Sequence, residues 1–218
     1  MADKKKQDKP LGTLESVNGS LTLVLLDADA ASDWEPLDED TDGDDLGGHP
    51  QNVVDLLEAR EDFVSSALKV GARKATVLML EGNTGEAEVY RLADGTLMLA
   101  EPPRDWWDDE DNYGGRQGEV AALFAEARAS SKPSVSVGKV QVSSGVLVAF
   151  DSNADIGKVG KAREKLTGHG DVKKVGRDGA ALALAVSPGT YAVRRRVLER
   201  KWAKGSPLVV AYLVPTGT

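Results

Sequence analysis

A short apolar run that ends abruptly in aspartate occurs twice in this chain, and it constrains the fold more than any other feature. Val17-Asn18-Gly19-Ser20-Leu21-Thr22-Leu23-Val24-Leu25-Leu26-Asp27 parallels Val142-Ser143-Ser144-Gly145-Val146-Leu147-Val148-Ala149-Phe150-Asp151. Both runs are strand-sized, rich in apolar residues, and preceded by turn residues. Neither approaches the ~20 residues of a membrane span. The likeness continues downstream. Ala75-Thr76-Val77-Leu78-Met79-Leu80, then Val89-Tyr90-Arg91, parallels Ala180-Ala181-Leu182-Ala183-Leu184-Ala185, then Val193-Arg194-Arg195. The pattern predicts two similar β-α-β-β halves. Strands and helices do not alternate strictly, so the class expected is α+β, mainly antiparallel sheet with two or three helices.

Between these landmarks, Val53, Leu56, Leu57, Phe63, Val64 and Leu68 recur at a period near 3.6 and predict a helix from residue 52 that Gly71 stops. Strands are expected at 75–81, 87–92 and 96–99, joined by glycine-containing turns. A helix over 117–130 places Val120, Leu123 and Phe124 on one face, and Ser130-Ser131-Lys132-Pro133 reads as a linker. Strands follow at 135–142 and 146–151, then a glycine-interrupted helix over 154–166 with Ile156, Val159 and Leu166 inward. Further strands are expected at 172–175, 181–186, 190–197 and 208–214. The organisation expected is a disordered leader (1–11), an acidic half-domain (12–116), a helix and linker (117–133) and a basic half-domain (134–218). The two halves form either separate domains or one continuous domain.

Charge divides the chain in the same place. Residues 1–118 carry 11 Lys/Arg against 27 Asp/Glu, and residues 119–218 carry 16 against 8, formal charges of −16 and +8. A field of that size acts on a whole partner surface, so it points to a protein that works by binding. Cysteine is absent, which removes disulfides, thiol nucleophiles and thiolate metal sites. The first ten residues are charged and lack an apolar stretch, so no secretory signal is expected and the chain reads as cytoplasmic.

Asp38-Glu39-Asp40-Thr41-Asp42-Gly43 fits the opening of a calcium-binding EF loop, but position eight is Asp45 and position twelve is His49. A solvated acidic loop is the reading, with weak adventitious Ca²⁺ binding the alternative, and no built metal site is expected. Trp106 and Trp107 sit inside a second acidic stretch, Asp108-Asp109-Glu110-Asp111. Adjacent indoles cannot share one core, so this pair either anchors an interface or packs across the domain. Arg194-Arg195-Arg196, with Arg200, Lys201, Trp202 and Lys204, is a basic cluster open to phosphate or nucleic acid. Strand alternation splits the triplet between two faces and favours a solvated face or internal pairing. The two histidines, His49 and His169, stand in glycine-rich loops with no catalytic or metal spacing. Gly157-Lys158-Val159-Gly160-Lys161 lacks the spacing of a phosphate loop. No cofactor motif is present, and no enzymatic activity is expected.

Glu15-Ser16-Val17-Asn18-Gly19-Ser20-Leu21, Trp34, the Asp55, Ala59 and Arg60 set, and Gly71 followed by Ala75-Thr76-Val77-Leu78-Met79-Leu80-Glu81 resemble the motifs of the bacterial polymorphic-toxin immunity family known as immunity protein 21. The resemblance covers residues 12–92. Glu35-Pro36 follows Trp34 where the family has a residue and glycine. It implies a non-enzymatic inhibitor that binds and blocks one secreted toxin. With the charge pattern, it makes Asp38, Asp40, Asp42, Asp44 and Asp45 the expected steering cluster. Trp106, Trp107, Asp108, Asp109, Glu110 and Asp111 become the expected contact patch for a cognate toxin protein, with no membrane partner. The alternative is a nucleic-acid- or phosphate-binding module that uses the basic second half.

Overall fold

A computed structural model describes residues 9–16, 22–34, 65–79, 85–100, 117–176, 179–198 and 208–216. Among them, twelve strands form two antiparallel six-stranded sheets. In chain order they are β1 (Gly12–Glu15), β2 (Thr22–Asp27), β3 (Ser65–Val70), β4 (Arg73–Met79), β5 (Glu86–Arg91), β6 (Leu97–Ala100), β7 (Val135–Val142), β8 (Val146–Asp151), β9 (Val172–Val175), β10 (Ala181–Ala185), β11 (Gly189–Leu198) and β12 (Leu208–Pro215). A 3-10 helix (Ala28–Asp33) follows β2, α1 (Gln117–Ala129) precedes β7, and the short α2 (Val159–Arg163) follows β8. The class is the expected α+β with mainly antiparallel sheet.

One sheet runs β1-β5-β6-β12-β11-β7 and the other β3-β4-β2-β8-β10-β9. Advancing every strand number by six reverses each order and leaves it unchanged. The twelve strands are therefore a six-strand plan used twice about a pseudo-twofold axis. The axis passes between Leu25 and Ala149 in one sheet and Met98 and Tyr212 in the other, each a registered pair. The repeat expected from the sequence is present, but its unit is β-β-helical turn-β-β-β-β. The registers also shift one alignment by a residue: β2–β4 and β8–β10 pairing equates Thr76 with Leu182.

Alternation along the strands builds three apolar layers. Between the sheets lie Leu14, Leu23, Leu25, Leu78, Val89, Leu97, Leu99 and their counterparts Val140, Leu147, Ala149, Leu184, Val193, Ala211 and Leu213. Opposite-parity residues point outward. Val24, Leu26, Val148 and Phe150 meet the 3-10 helix and α2, while Tyr90, Met98 and Tyr212 meet Val120, Leu123 and Phe124 of α1. These are the three α1 residues expected to share a face.

Edge strands β1 and β7 pack closely against the opposite sheet where a glycine permits it. A Cβ at Gly138 would lie 2.8 Å from Thr76 Cγ2, and one at Gly12 would lie 3.1 Å from Leu182 Cδ1. Thr76 and Leu182 are twofold counterparts, as are Gly138 and Gly12. Near Gly138, the outward carbonyls of Val137 and Lys139 accept the Ser65 and Thr76 hydroxyls at 2.7 and 2.9 Å. Those bonds satisfy an edge that would otherwise be open to further strand pairing.

Two of the helix expectations change. The helix predicted to run to Gly71 ends in a strand, because residues 65–70 are β3; residues 52–64 lie outside the described set. Leu68 and Val70 are buried and Ala67 and Lys69 exposed, a period of two. Gly71, read as a helix stop, is the first residue of the two-residue β3–β4 turn, with φ at +55°. That left-handed backbone suits glycine in either role, so the residue alone does not discriminate. The helix expected over 154–166 is regular only through α2, although Ile156 and Val159 are buried as expected.

Candidate functional site

All eleven residues expected to contact a partner lie outside the described set: Asp38, Asp40, Asp42, Asp44, Asp45, Trp106, Trp107, Asp108, Asp109, Glu110 and Asp111. So do the EF-like stretch and His49. The described residues that flank the first segment are Trp34 and Ser65; the Trp34 indole packs edge-on against Phe150 with centroids 4.9 Å apart on the outer face of the β2–β8 sheet. The second runs from Ala100, at the end of central strand β6, to Gln117 at the start of α1.

The two repeats differ most in the connection after their second strand. The β2–β3 connection spans 37 residues (28–64), and its counterpart between β8 and β9 spans 20 (152–171). Residues 28–64 and 101–116 together hold 19 of the 35 acidic side chains against three Lys/Arg, a formal −16. With the whole chain at −8, everything else is +8. The acid is thus carried by connections, on a scaffold that is itself basic.

The best-defined polar cluster lies where β2 ends. Asp27 is 1% exposed. Its Oδ1 accepts the Asp29 N–H at 2.8 Å, and its Oδ2 accepts the Ser143 N–H, the Ser143 hydroxyl at 3.1 Å and the Ser144 N–H at 3.1 Å. Arg73 Nη1 lies 3.5 Å from Oδ2 and donates to Ser143 Oγ at 2.6 Å. Asp29 joins the cluster through Arg73 at 3.6 Å and Arg163 at 2.8 Å. Burial pushes the Asp27 carboxyl up, but the N–H donors of Asp29, Ser143 and Ser144 outweigh it and hold the group below the usual carboxylate range. The cluster fastens the β7–β8 turn of one repeat to the last residue of β2 in the other. Its sequence signal was the aspartate that ends each apolar run; the arginines, distant in sequence, gave none.

The arginine triplet is split as alternation required. Arg196 is 8% exposed on the α1 side, where it pairs with Glu126 and donates to the Ser130 and Lys132 carbonyls at 3.2 and 3.3 Å. Arg194 donates to Ser134 Oγ and O at 2.8 and 2.7 Å. The segment expected as a linker supplies backbone acceptors to β11. His169 lies 2.7 Å from Arg91 Nη1 in an exposed contact. Among the described residues no His, Asp or Glu cluster could hold a metal ion, and no helix is long and apolar enough to cross a membrane.

Neither a family model, nor a curated protein, nor a solved structure matches this chain.

Proposed function

We propose that this chain is an immunity-type protein that binds and neutralises a cognate bacterial toxin through its acidic connections. One observation carries the reading: the two connections outside the repeated strand plan concentrate a formal −16 on a basic scaffold. Solvated acid contributes little to a core and costs self-repulsion, so its concentration in connecting segments argues for an external partner. Many toxins that attack nucleic acids or other anions present basic clefts. An acidic surface speeds encounter with such a cleft and competes with the substrate. The Trp106–Trp107 pair inside the second segment supplies the apolar contact that steering alone lacks. The resemblance of residues 12–92 to immunity protein 21 supports the same assignment.

The nucleic-acid alternative has less support, because Arg194 and Arg196 are engaged within the chain. Co-expression with a toxic domain encoded beside this chain tests the proposal. Wild type restores growth, and a variant with Asp38, Asp40, Asp42, Asp44 and Asp45 changed to Asn restores it poorly. Full rescue by that variant, with folding unchanged, removes these aspartates from the mechanism.

A further inference from the structure

The pseudo-twofold equates Asp27 with Asp151 but surrounds them differently. Both begin the same turn: Asp151 Oδ1 accepts the Asn153 N–H at 2.9 Å, as Asp27 Oδ1 accepts that of Asp29. The second oxygens diverge. Asp27 Oδ2 has the Ser143 and Ser144 donors and faces Arg73, whereas Asp151 Oδ2 is buried without a hydrogen-bond partner and the residue is 0% exposed. Strand register places Gly179 where the other repeat has Arg73.

Among the described residues, the one cation near the position of that guanidinium, Lys174 Nζ at 3.0 Å from where a Gly179 Cβ would stand, is taken up by Glu15. Glu15 on β1 and Lys174 on β9 pair with each other at 3.2 Å. Asp155, beyond β8, accepts the Gly157 N–H. Thr22 and Leu23 of β2, and Ala180 and Ala181 at the start of β10, carry no charge, and residues 17–21 contain no ionisable side chain. Arg177 and Asp178 lie outside the described set. A fully buried carboxylate with one oxygen left unpaired is costly, and the neutral acid is far less so.

The backbone around Asp151 holds three elements together. Its N–H donates to the Ala180 carbonyl at 2.9 Å, the Ser152 N–H to the Thr22 carbonyl at 2.9 Å, and the Ala154 N–H to its own carbonyl at 2.9 Å. We propose that Asp151 is a proton-binding latch: neutral in the closed sandwich, it seals the end of the central β2–β8 pair, and its ionisation loosens that end. Burial raises its carboxyl above the usual range, against the pull of the Asn153, Ser16 and Thr22 donors. The stability it contributes is full below the ordinary carboxylate pKa and is lost as pH rises through the raised value. Its twofold mate, Asp27, responds in the opposite sense.

Carboxyl-carbon NMR titration of the full wild-type chain, together with urea unfolding of wild type and Asp151→Asn between pH 4 and 8, tests the latch. Asp151 should titrate above the ordinary aspartate range. The wild-type unfolding constant should rise by up to tenfold per pH unit across the window between the ordinary and raised pKa, one proton's worth of linkage. Asp151→Asn should remove that slope. Titration of Asp151 at or below the ordinary range overturns the proposal, as does a slope that persists in the variant. Should Asp151→Asn fail to fold, the wild-type titration, assigned through bonds, decides alone.

Discussion

Replacing Asp27 by Ala removes the group that fastens one repeat to the other, and the structure sets the size of the effect. The carboxylate satisfies three backbone N–H groups and a hydroxyl and lies 3.5 Å from Arg73. Leaving a buried donor unmade costs about 1–3 kcal/mol, so three unmade N–H groups cost about 3 or more, while the charged partners are 36–45% exposed and add little. Ser143 is exposed and Ser144 half-buried, so water reaches part of the vacated site. Asp29 also remains to hold Arg73 and Arg163. These two facts place Asp27→Ala near the lower end, about 3 kcal/mol, roughly a hundredfold in the unfolding constant. Urea denaturation at pH 7 measures it as a lower midpoint at unchanged slope. Because the folded-state pKa is lowered, the contribution is present above the ordinary carboxylate range and is lost as pH falls through the lowered value. The gap between wild type and variant should therefore narrow in acid. A cost under about 0.5 kcal/mol at neutral pH, or a gap independent of pH, would refute the fastening role.

Three further outcomes test the packing. Gly138→Ala places a methyl 2.8 Å from Thr76 Cγ2 and should destabilise by about 1–3 kcal/mol; Thr76→Ser in the same chain should recover most of that loss in thermal melts. Arg196→Met removes the buried guanidinium's bonds to Glu126 and to the Ser130 and Lys132 carbonyls, all on exposed residues that water can reach, and should cost about 1–2 kcal/mol by denaturant titration, while exposed Lys139→Met should cost almost nothing. Gly71→Ala forces a side chain onto φ +55° and into the Asp33 carboxylate, so a loss of about 1–2 kcal/mol is expected from the melting midpoint.

Much of this fold was legible because its strands are short, apolar and bounded by turn residues. The runs ending in Asp27 and Asp151 are β2 and β8, the central pair of one sheet, and their likeness reflects a true repeat. Where reading failed, two periods competed. Leu68 faces inward in a helix or a strand, and only pairing with β4 decides between them. β1 was missed because Gly-Thr-Leu-Glu has one fully buried side chain and gains its stability from β5. The unit of duplication was misjudged for the same reason, since strands contributed to different sheets look alike in sequence. Of the polar cluster, the aspartates were visible as run endings. Arg73 and Arg163 were not, because no local pattern marks a residue that pairs across 46 or 134 positions. The acidic segments were conspicuous by charge alone, and they lie outside the described residues.

The proposed mode of action depends on long-range attraction between the acidic connections and a basic toxin surface. Stopped-flow association of the full chain with its cognate toxin, measured from low to high salt, tests that attraction directly. The account expects the association rate to fall steeply as salt screens the field, with dissociation much less affected. An association rate that stays flat across the series would contradict it.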